Sequence, residues 1–296
     1  MIKNGKTIPV LTMVGLIVAF WYAAVVWMNA PFEYDKAERV SKPAPTISQL
    51  IPATMAQERP VLPAPHQVFR EIWRTTVGMV QKGRPFSKRS LIYHAWITLS
   101  ATLLGFIIGT ALGIALAVGI VHNRAMDKSV MPWVITSQTI PILAIAPMII
   151  VVLNSIGLSG LLPKALISTY LSFFPVVVGM VKGLRSPDVA QLDLMHTYCA
   201  TRWQTFWKLR WPSSMPYLFT SLKVAVAISL VGAIVGEMPT GAVAGLGARL
   251  LAGSYYGQTI QIWSALFMAA ALSAVLVMLV GIAHNYVLRR MGEKPA

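Results

Sequence analysis

Long uninterrupted apolar runs constrain this chain more than any other feature. The first, residues 8–28, contains no charged side chain, and runs of similar length recur to the end of the sequence. A bilayer core accommodates about 20 apolar residues as one helix. Only 12% of all residues are charged, whereas soluble domains have about a quarter. The sequence therefore predicts an all-α polytopic membrane protein.

Six runs are long enough to cross a bilayer as helices. They are residues 8–28, 91–121, 131–153, 161–181, about 219–235, and 260–287. A cleaved signal peptide is the alternative for the first run, because Lys3 and Lys6 precede it. That run exceeds the usual length of about 7–15 apolar residues, and Asn29-Ala30-Pro31 is a poor cleavage site. We therefore expect six transmembrane helices, with the first one retained.

The runs divide the chain into four predicted regions. Residues 1–30 form an N-terminal transmembrane helix, 31–90 a periplasmic linker, 91–288 a five-helix core, and 289–296 a cytosolic tail. The front half of the linker is rich in proline and predicts irregular structure. Its second half carries apolar residues at helical spacing, namely Val68, Ile72, Trp73, Val77 and Val80. This spacing predicts an amphipathic helix on the bilayer surface within residues 66–80.

Basic residues predict how the chain is oriented. With the N-terminus inside, the inside segments contain Lys3, Lys6, Arg124, Lys128, Lys182, Arg185, Arg202, Lys208, Arg210, Arg289, Arg290 and Lys294. The short outside loops contain only Arg249, with Lys164 near a boundary. This distribution follows the positive-inside rule and places both termini in the cytoplasm. Residues 31–89 are the exception, because they carry ten basic residues on the outside, but long loops translocate largely regardless of charge.

The net charge of +15 would indicate a nucleic-acid partner in a soluble protein. Here the basic residues flank apolar runs, so we expect membrane lipid rather than nucleic acid as their partner. The five histidines are scattered without ligand spacing, which predicts no metal site. The sequence has neither a Walker A motif nor a GxSxG motif, so we expect no catalytic residue in this chain.

The inside loop of residues 182–216 is the most informative segment. Ser186-Pro187-Asp188 predicts a helix N-terminus. Two short runs follow, one with Val189, Leu192, Met195 and Cys199, and one with Trp203, Phe206, Trp207 and Leu209 that stops at Pro212. We interpret them as two short helices outside the membrane. Two interpretations remain open: a compact element that docks into a partner's groove, or an interfacial helix pair anchored by Trp and Arg.

Several motifs in this order are similar to one transporter family. In the loop, Asp193, Leu194-Met195, Cys199 and the run ending at Pro212 fall on the pattern Glu-Ala-Ala, three residues, Gly, nine residues, Ile-x-Leu-Pro. Further matches are Ala200 to Phe206, Pro216, Lys223, Gly236-Glu237-Met238, Leu62-Pro63-Ala64-Pro65, Gln138-Thr139-Ile140-Pro141 to Ala146-Pro147, and Gly245-Leu246-Gly247. Over about residues 60–290 the chain resembles permease subunits of binding-protein-dependent ABC importers, in the nitrate, sulfonate, taurine and pyrimidine-precursor branch.

Departures from that pattern lie in the loop and after Pro147, where residues 149–154 replace the aromatic-rich end of the family pattern. Asp193 has a shorter acidic arm than glutamate, and Leu194 and Met195 are bulkier than two alanines. Cys199 stands where the family has glycine, which adopts positive φ without steric cost. We therefore expect a more open turn between the short helices, or a longer first helix.

The resemblance implies a fold like that of type I ABC importers and a role as their membrane-spanning permease. Such a subunit translocates a small solute, nitrate-, sulfonate- or taurine-like or a pyrimidine-type organic, delivered by a periplasmic or lipid-tethered binding protein. It implies an ATPase partner that binds ATP and Mg, no cofactor in this chain, a second permease copy, and the bacterial inner membrane. The residues carried over as contacts for the ATPase are Asp193, Cys199, Ala200, Arg202, Trp203, Phe206 and Pro212.

Polar and proline residues within the spans are candidates for the translocation pathway. They are Gln138, Thr139, Pro141, Pro147 and Glu237. Ordinary interhelical hydrogen bonds, or an interfacial position for Glu237, are the alternatives. The spacing of Gly105, Gly109 and Gly113 predicts close helix packing. A secondary transporter, or another polytopic protein that works without an ATPase, is the alternative function.

Overall fold

The structure is a computed structural model that describes residues 7–41, 43–239 and 244–292. Lys3, Lys6 and Lys294, which contributed to the predicted orientation, lie outside these ranges. All regular structure in the described ranges is helical, as the composition predicts. The helices are α1 (Thr7–Arg39), α2 (Ile47–Met55), α3 (Pro65–Thr75), α4 (Val77–Gln81), α5 (Leu91–His122), α6 (Arg124–Ser137), α7 (Ile142–Ser155), α8 (Leu161–Leu184), α9 (Val189–Thr197), α10 (Arg202–Thr205), α11 (Trp211–Glu237), α12 (Leu246–Tyr255) and α13 (Thr259–Arg290).

Five helices in the described ranges are long and apolar enough to cross a membrane. They are α1, α5, α8, the continuous helix Arg202–Glu237 that ends with α11, and α13. Helices α6 and α7 reach the required length only together. The predicted apolar runs are therefore confirmed as helical. Most helices end within a few residues of the predicted boundaries, but α1 continues to Arg39 and the fifth span begins at Arg202.

The third predicted span, residues 131–153, is not one straight helix. Helix α6 ends at Ser137 and α7 begins at Ile142, and the two are bent by 99°. Pro141 at the start of α7 has no N–H to donate, and proline disfavours helical geometry in the residue before it. The third span is therefore a broken helix pair, although its apolar content is that of a single span.

The predicted linker contains more helix than its prolines indicate. Helix α1 continues through Pro31 to Arg39, and α2 occupies part of the segment expected to be irregular. The side chain of Asn29 in α1 explains part of this regular structure, because it is fully buried and bonds to the backbone of the predicted linker. Its Oδ1 accepts the N–H groups of Val61 (2.9 Å) and Leu62 (3.1 Å), and its Nδ2 donates to the Leu62 carbonyl (2.9 Å). The predicted amphipathic helix is present as α3 and α4.

The contacts of the chain divide it into two compact units. The first comprises the chain up to Tyr93 together with Arg249–Met268. In this unit the indole of Trp21 packs against Trp263 and Phe267, with ring centroids 5.0 and 5.8 Å apart. Its N–H donates to the carbonyl of Pro63 at 3.0 Å. Aromatic packing and this hydrogen bond hold residues before α3 against α1 and the start of α13.

The second unit, His94–Ala248 with Ala269–Ala296, contains α5, α8 and α11 in direct backbone contact. A Cβ atom added to Gly105 would lie 2.4 Å from the Ser168 side chain. One added to Gly109 would lie 2.2 Å from Ser172 Oγ, and one added to Gly113 would lie 2.8 Å from Val176. The predicted packing role of the three glycines is therefore confirmed, and α8 is the helix on which they pack.

Helix α11 also packs closely on α8, at the same residue that Gly105 of α5 approaches. An added Cβ on Gly232 would lie 2.7 Å from the Cα of Ser168. The hydroxyls of Ser168 and Ser229 are 2.6 Å apart, and the Ser229 hydroxyl donates to the Thr102 carbonyl of α5 at 2.9 Å. Small residues and shared hydroxyls therefore join the three helices, here called the α5–α8–α11 block, as is typical of helix association in lipid.

We predict that Gly109→Val destabilises the α5–α8–α11 block. The new side chain would overlap Ser172 and the α8 backbone, so the free energy of unfolding should fall by about 1–3 kcal/mol. Thermal unfolding of the purified chain in detergent measures this loss. The matched control is Gly15→Val in α1, where an added Cβ meets nothing within 4 Å. Equal melting temperatures for the two variants would contradict the close packing of α5 on α8.

Candidate functional site: the loop of short helices and the broken span

The loop after α8 begins as its sequence predicts. Helix α9 starts directly after Asp188, whose backbone N–H donates to Gln191 Oε1 at 3.3 Å. At its other end the Cys199 N–H donates to the His196 carbonyl (2.8 Å) and the Ala200 N–H to the Met195 carbonyl (3.0 Å). These two bonds form a Schellman motif, which closes the helix with one residue at positive φ.

Cys199 is that residue, with φ of +50°. The expectation of an open turn or a longer first helix is therefore wrong, because α9 ends at Thr197 and the two Schellman bonds close the turn. The hydrogen bonds of the motif offset the steric cost of left-handed geometry in a residue with a Cβ. The chain thus keeps the turn while lacking the glycine that usually forms it.

The second half of the loop is continuous with the fifth span. Thr201 and Gln204 bond reciprocally: the Thr201 N–H donates to Gln204 Oε1 (2.8 Å) and the Gln204 N–H to Thr201 Oγ1 (3.3 Å). This capping box starts α10, which passes through a π-helical turn (Phe206–Arg210) into α11.

The expected stop at Pro212 is therefore wrong, because Arg202–Glu237 is one helix of 36 residues. In the π-helical turn the Trp211 N–H donates to the Phe206 carbonyl, five residues back. The π-helical turn is wider than an α-helical turn and so accommodates the ring of Pro212. Pro212 also lies in the first turn of α11, where it has no N–H that needs a partner.

The loop is fixed to the rest of its unit at three points. Arg185 Nη2 lies 2.9 Å from Asp127 Oδ1 of α6. Arg210 Nη1 donates to the Leu184 carbonyl at 3.5 Å. The ring of Phe206 packs edge-on against His122, with centroids 5.2 Å apart. These contacts oppose movement of the loop independent of α5, α6 and α8.

The residues predicted to contact the ATPase differ in exposure. Asp193, Cys199, Arg202 and Trp203 are exposed, Ala200 and Pro212 are half-buried, and Phe206 is buried. The indole of Trp203 is 69% exposed although its ring packs against Phe206 and Trp207. The structure thus places Phe206 in the core and not on the predicted docking surface, because its ring fills the space beside His122. Trp203 remains the aromatic candidate for docking.

The predicted pathway residues lie at two separate places. Gln138, Thr139 and Pro141 are brought together at the break between α6 and α7, and Pro147 lies in α7. Gln138 is half-buried, whereas Thr139 and Pro141 are exposed. The Tyr170 hydroxyl of α8 donates to the Ser137 carbonyl, and Thr139 Oγ1 donates to the Thr136 carbonyl at 2.8 Å. Hydroxyl groups therefore satisfy part of the backbone that the break leaves without helical partners.

Glu237 is fully buried at the end of α11, away from that break in sequence. Both of its carboxylate oxygens lie 3.0 Å from the Thr98 hydroxyl, and Oε2 accepts the Gly247 N–H at 2.8 Å. Lys164 Nζ lies 3.9 Å from Oε1. The carboxylate thus joins α5, α8 and α11 to the N-terminus of α12, where a negative charge is stabilising.

The motif Gly245-Leu246-Gly247 makes this approach possible. A Cβ on Gly245 would lie 2.2 Å from the Glu237 carboxyl carbon, and one on Gly247 would lie 2.2 Å from the Ile234 carbonyl. Gly245 also has φ of +131°, which other residues rarely adopt. Thr98 accepts the Leu246 N–H at 2.9 Å, and His94 accepts the Gly245 N–H at 3.0 Å. The sequence does not predict these two contacts, because neither residue lies in a local motif.

A broken span in a helical membrane protein is a feature typical of membrane transporters. Residues 109–293 match the family described as "Binding-protein-dependent transport system inner membrane component". The chain is 32% identical to the formylaminopyrimidine transport permease protein ThiX of Halalkalibacterium halodurans, covering 67% of this chain and 72% of that protein. It is 29% identical to the riboflavin transport system permease protein RibX of Chloroflexus aurantiacus, covering 77% and 80%.

A solved structure agrees on the fold. A chain of the MetNI methionine ABC transporter, in inward-facing conformations, superimposes with a TM-score of 0.56 at 18% identity, covering 68% of this chain and 95% of that one. This chain belongs to the family of binding-protein-dependent transport system inner membrane components. It is a multi-pass inner-membrane protein and the permease subunit of an ABC importer, whose partners are an ATPase and a substrate-binding protein.

We predict that Cys199→Gly stabilises the turn after α9. Glycine removes the steric cost of φ at +50°, so the local stability should rise by up to about 1 kcal/mol. Slower amide exchange at the turn measures this gain. The control is Ala200→Gly, next to the strained position, for which we expect no gain because glycine only adds freedom to the unfolded chain. If both variants slow exchange equally, positive φ at Cys199 is not the cause.

Proposed function

We propose that this permease pairs with a second copy of itself and passes a small solute between the two copies, driven by separate ATPase subunits. The solute arrives on a periplasmic or lipid-tethered binding protein. This chain does no chemistry and needs no cofactor, and ATP and Mg bind to the ATPase partner. The absence of a Walker A motif from the sequence supports that division of labour.

The relatives support the class of solute. Permeases named for a formylaminopyrimidine and for riboflavin are 32% and 29% identical to this chain. Those named for nitrate and for aliphatic sulfonates are 23% and 22% identical. Within the range from pyrimidine-type organics to nitrate-, sulfonate- and taurine-like solutes, we propose a nitrogen heterocycle as the first to test.

The observation that carries the proposal is the single helix from the loop to the Glu237 end. A helix of 36 residues is about 54 Å long, longer than the roughly 30 Å hydrocarbon core of a bilayer. A displacement at Arg202 therefore acts along one rigid element on the residues packed around Glu237. A flexible connection at Pro212 would absorb the same displacement, so the continuity of the helix supports coupling by the loop.

The orientation that we propose places both termini and the loop of residues 182–216 in the cytoplasm. Among the described residues of that loop, Lys182, Arg185, Arg202, Lys208 and Arg210 carry positive charge, as the positive-inside rule requires. An ATPase beneath the membrane would then meet the exposed residues Asp193, Arg202 and Trp203. The alternative of a transporter working without an ATPase receives no support from the relatives.

We predict that Asp193→Arg weakens the complex with the ATPase subunit. Asp193 is exposed on α9, so reversing its charge should leave the fold intact and replace an attraction by a repulsion of about 1–3 kcal/mol at a docked interface. Co-purification of the ATPase subunit with the tagged chain from mild detergent measures the loss.

The matched control for that experiment is Asp35→Arg, the same charge reversal at an exposed position of α1. Wild type and the control should retain the ATPase subunit, and Asp193→Arg should lose it. Retention of the ATPase subunit by all three proteins would show that the docking contacts lie outside α9. Absence of an ATPase subunit from wild type would contradict the proposed coupling as a whole.

The break between α6 and α7 supports a translocation pathway that lies between two copies of the permease. Non-helical backbone at membrane depth is tolerated only where it is buried in protein or lines a water-filled cavity. Thr139 and Pro141 are exposed in the single chain, so another chain or water must cover this backbone in the membrane. A pathway between two copies provides both.

We predict that a cysteine at Thr139 reacts with a membrane-impermeant thiol reagent in the assembled complex. A background of Cys199→Ser removes the native thiol. Water in the pathway allows the thiolate to form, whereas a thiol facing lipid stays protonated and inert. Phe20→Cys on the exposed face of α1 is the control that should not react. Equal reactivity of the cysteines at positions 139 and 20 would contradict the proposal that residues 138–141 line a pathway.

A further inference from the structure

Basic residues that the proposed orientation places outside converge on one cleft. With the N-terminus inside, the exceptions to the positive-inside rule are the ten basic residues of segment 31–89 and Arg249. Six of these eleven residues line the same cleft of the first unit, namely Arg74, Lys82, Arg84, Lys88, Arg89 and Arg249. The cleft has a volume of about 910 Å³. Segments distant in sequence therefore bring positive charge together outside the membrane-spanning helices.

The charge of this cleft, here called the basic cleft, is poorly balanced by its own residues. Glu71 is the acidic residue among those that line it, against six cations. That carboxylate already bonds to Arg74, with Nη2 2.7 Å from Oε2. Like charges held close together repel one another, and the repulsion lowers the stability of the fold unless an anion offsets it.

Arg249 gives a second and independent indication of a ligand. Its Nε is buried without a hydrogen-bond partner in the described structure, and Arg249 lies at the wall of the basic cleft. Burial lowers the pKa of the Arg249 guanidinium, Glu71 raises it, and Arg74 lowers it. Arginine nevertheless stays protonated in proteins, so a buried donor and a full charge remain. A buried polar atom of this kind requires a partner.

We propose that the basic cleft is a binding site for an oxyanion group, a phosphate, sulfonate or carboxylate. Guanidinium groups bind such anions through paired hydrogen bonds, and lysines add point charge. One bound anion would contact the α3 end, the segment of residues 82–89 and α12 together. It would thereby stabilise the first unit.

Two sources can supply this group, the headgroup of an anionic phospholipid and a free anion in the external solution. Helix α3 carries Phe69 and Trp73, which are 66% and 52% exposed and whose rings are 6.2 Å apart. Exposed aromatic residues of this kind lie at the membrane–water interface. At that level both the lipid headgroups and the aqueous solution reach the basic cleft.

The experiment is thermal unfolding of the full-length chain under two sets of conditions. In neutral detergent, inorganic phosphate is compared with chloride at equal ionic strength. In nanodiscs, phosphatidylcholine alone is compared with phosphatidylcholine plus phosphatidylglycerol. We expect the anion to raise the melting temperature of wild type by about 2–4 °C.

Two variants and one control locate the effect. Arg249→Gln removes a guanidinium whose Nε is buried, and Arg84→Gln removes an exposed one whose loss should not impair folding. Each should weaken anion affinity roughly tenfold, the effect of losing a charge-assisted hydrogen bond. The control is Arg70→Gln, on α3 but outside the lining of the basic cleft, which should respond as wild type does.

Each outcome decides the proposal. Stabilisation by phosphate that Arg249→Gln and Arg84→Gln lose and Arg70→Gln keeps supports a free anion as the ligand. The same pattern with phosphatidylglycerol alone supports a lipid headgroup. The proposal is overturned if neither anion stabilises wild type, or if Arg70→Gln loses the response as fully as Arg84→Gln, because the effect would then be general charge screening.

Discussion

The backbone contact of α8 with both α5 and α11 is the constraint on which the second unit depends. Lipid offers no hydrophobic drive for helix association, so packing and hydrogen bonds must hold the helices together. Ser168 lies at the centre: a Cβ added to Gly105 or to Gly232 would overlap it, and its hydroxyl contacts Ser229. A larger residue at any of these positions would separate helices that carry both the loop and the Glu237 contacts.

Helix α11 connects two dissimilar structures at its ends. At the loop end, four aromatic rings pack in succession, with Trp207 5.1 Å from Phe206 and 5.5 Å from Trp211. At the other end, the buried carboxylate of Glu237 collects hydrogen bonds from Thr98 and Gly247. Aromatic packing tolerates contact with a partner at an exposed surface, whereas a buried carboxylate requires fixed donors. A permease that an ATPase drives from the loop end needs a stiff helix to carry the movement to the Glu237 end.

The sequence predicts what depends on local pattern. Apolar length gives the spans, glycine spacing gives the α5 face that packs on α8, and Asp188 gives the start of α9. It does not predict what depends on distant residues or on one backbone angle. Phe206 is buried because His122 lies beside it, and Cys199 adopts positive φ because two hydrogen bonds close its turn. The break before α7 has a local signal in Pro141, which removes a helical hydrogen bond, but the bend of 99° has no local signal.

We propose that an ATPase acts on this permease through residues 189–210 and one continuous helix. Hydrogen–deuterium exchange of the full-length chain, alone and in complex with its ATPase subunit, measures this contact. We expect slower exchange in α9 and from Arg202 through the π-helical turn in the complex, with the α5–α8–α11 block protected in both states. Unchanged exchange across residues 189–210, with new protection elsewhere in the chain, would contradict it.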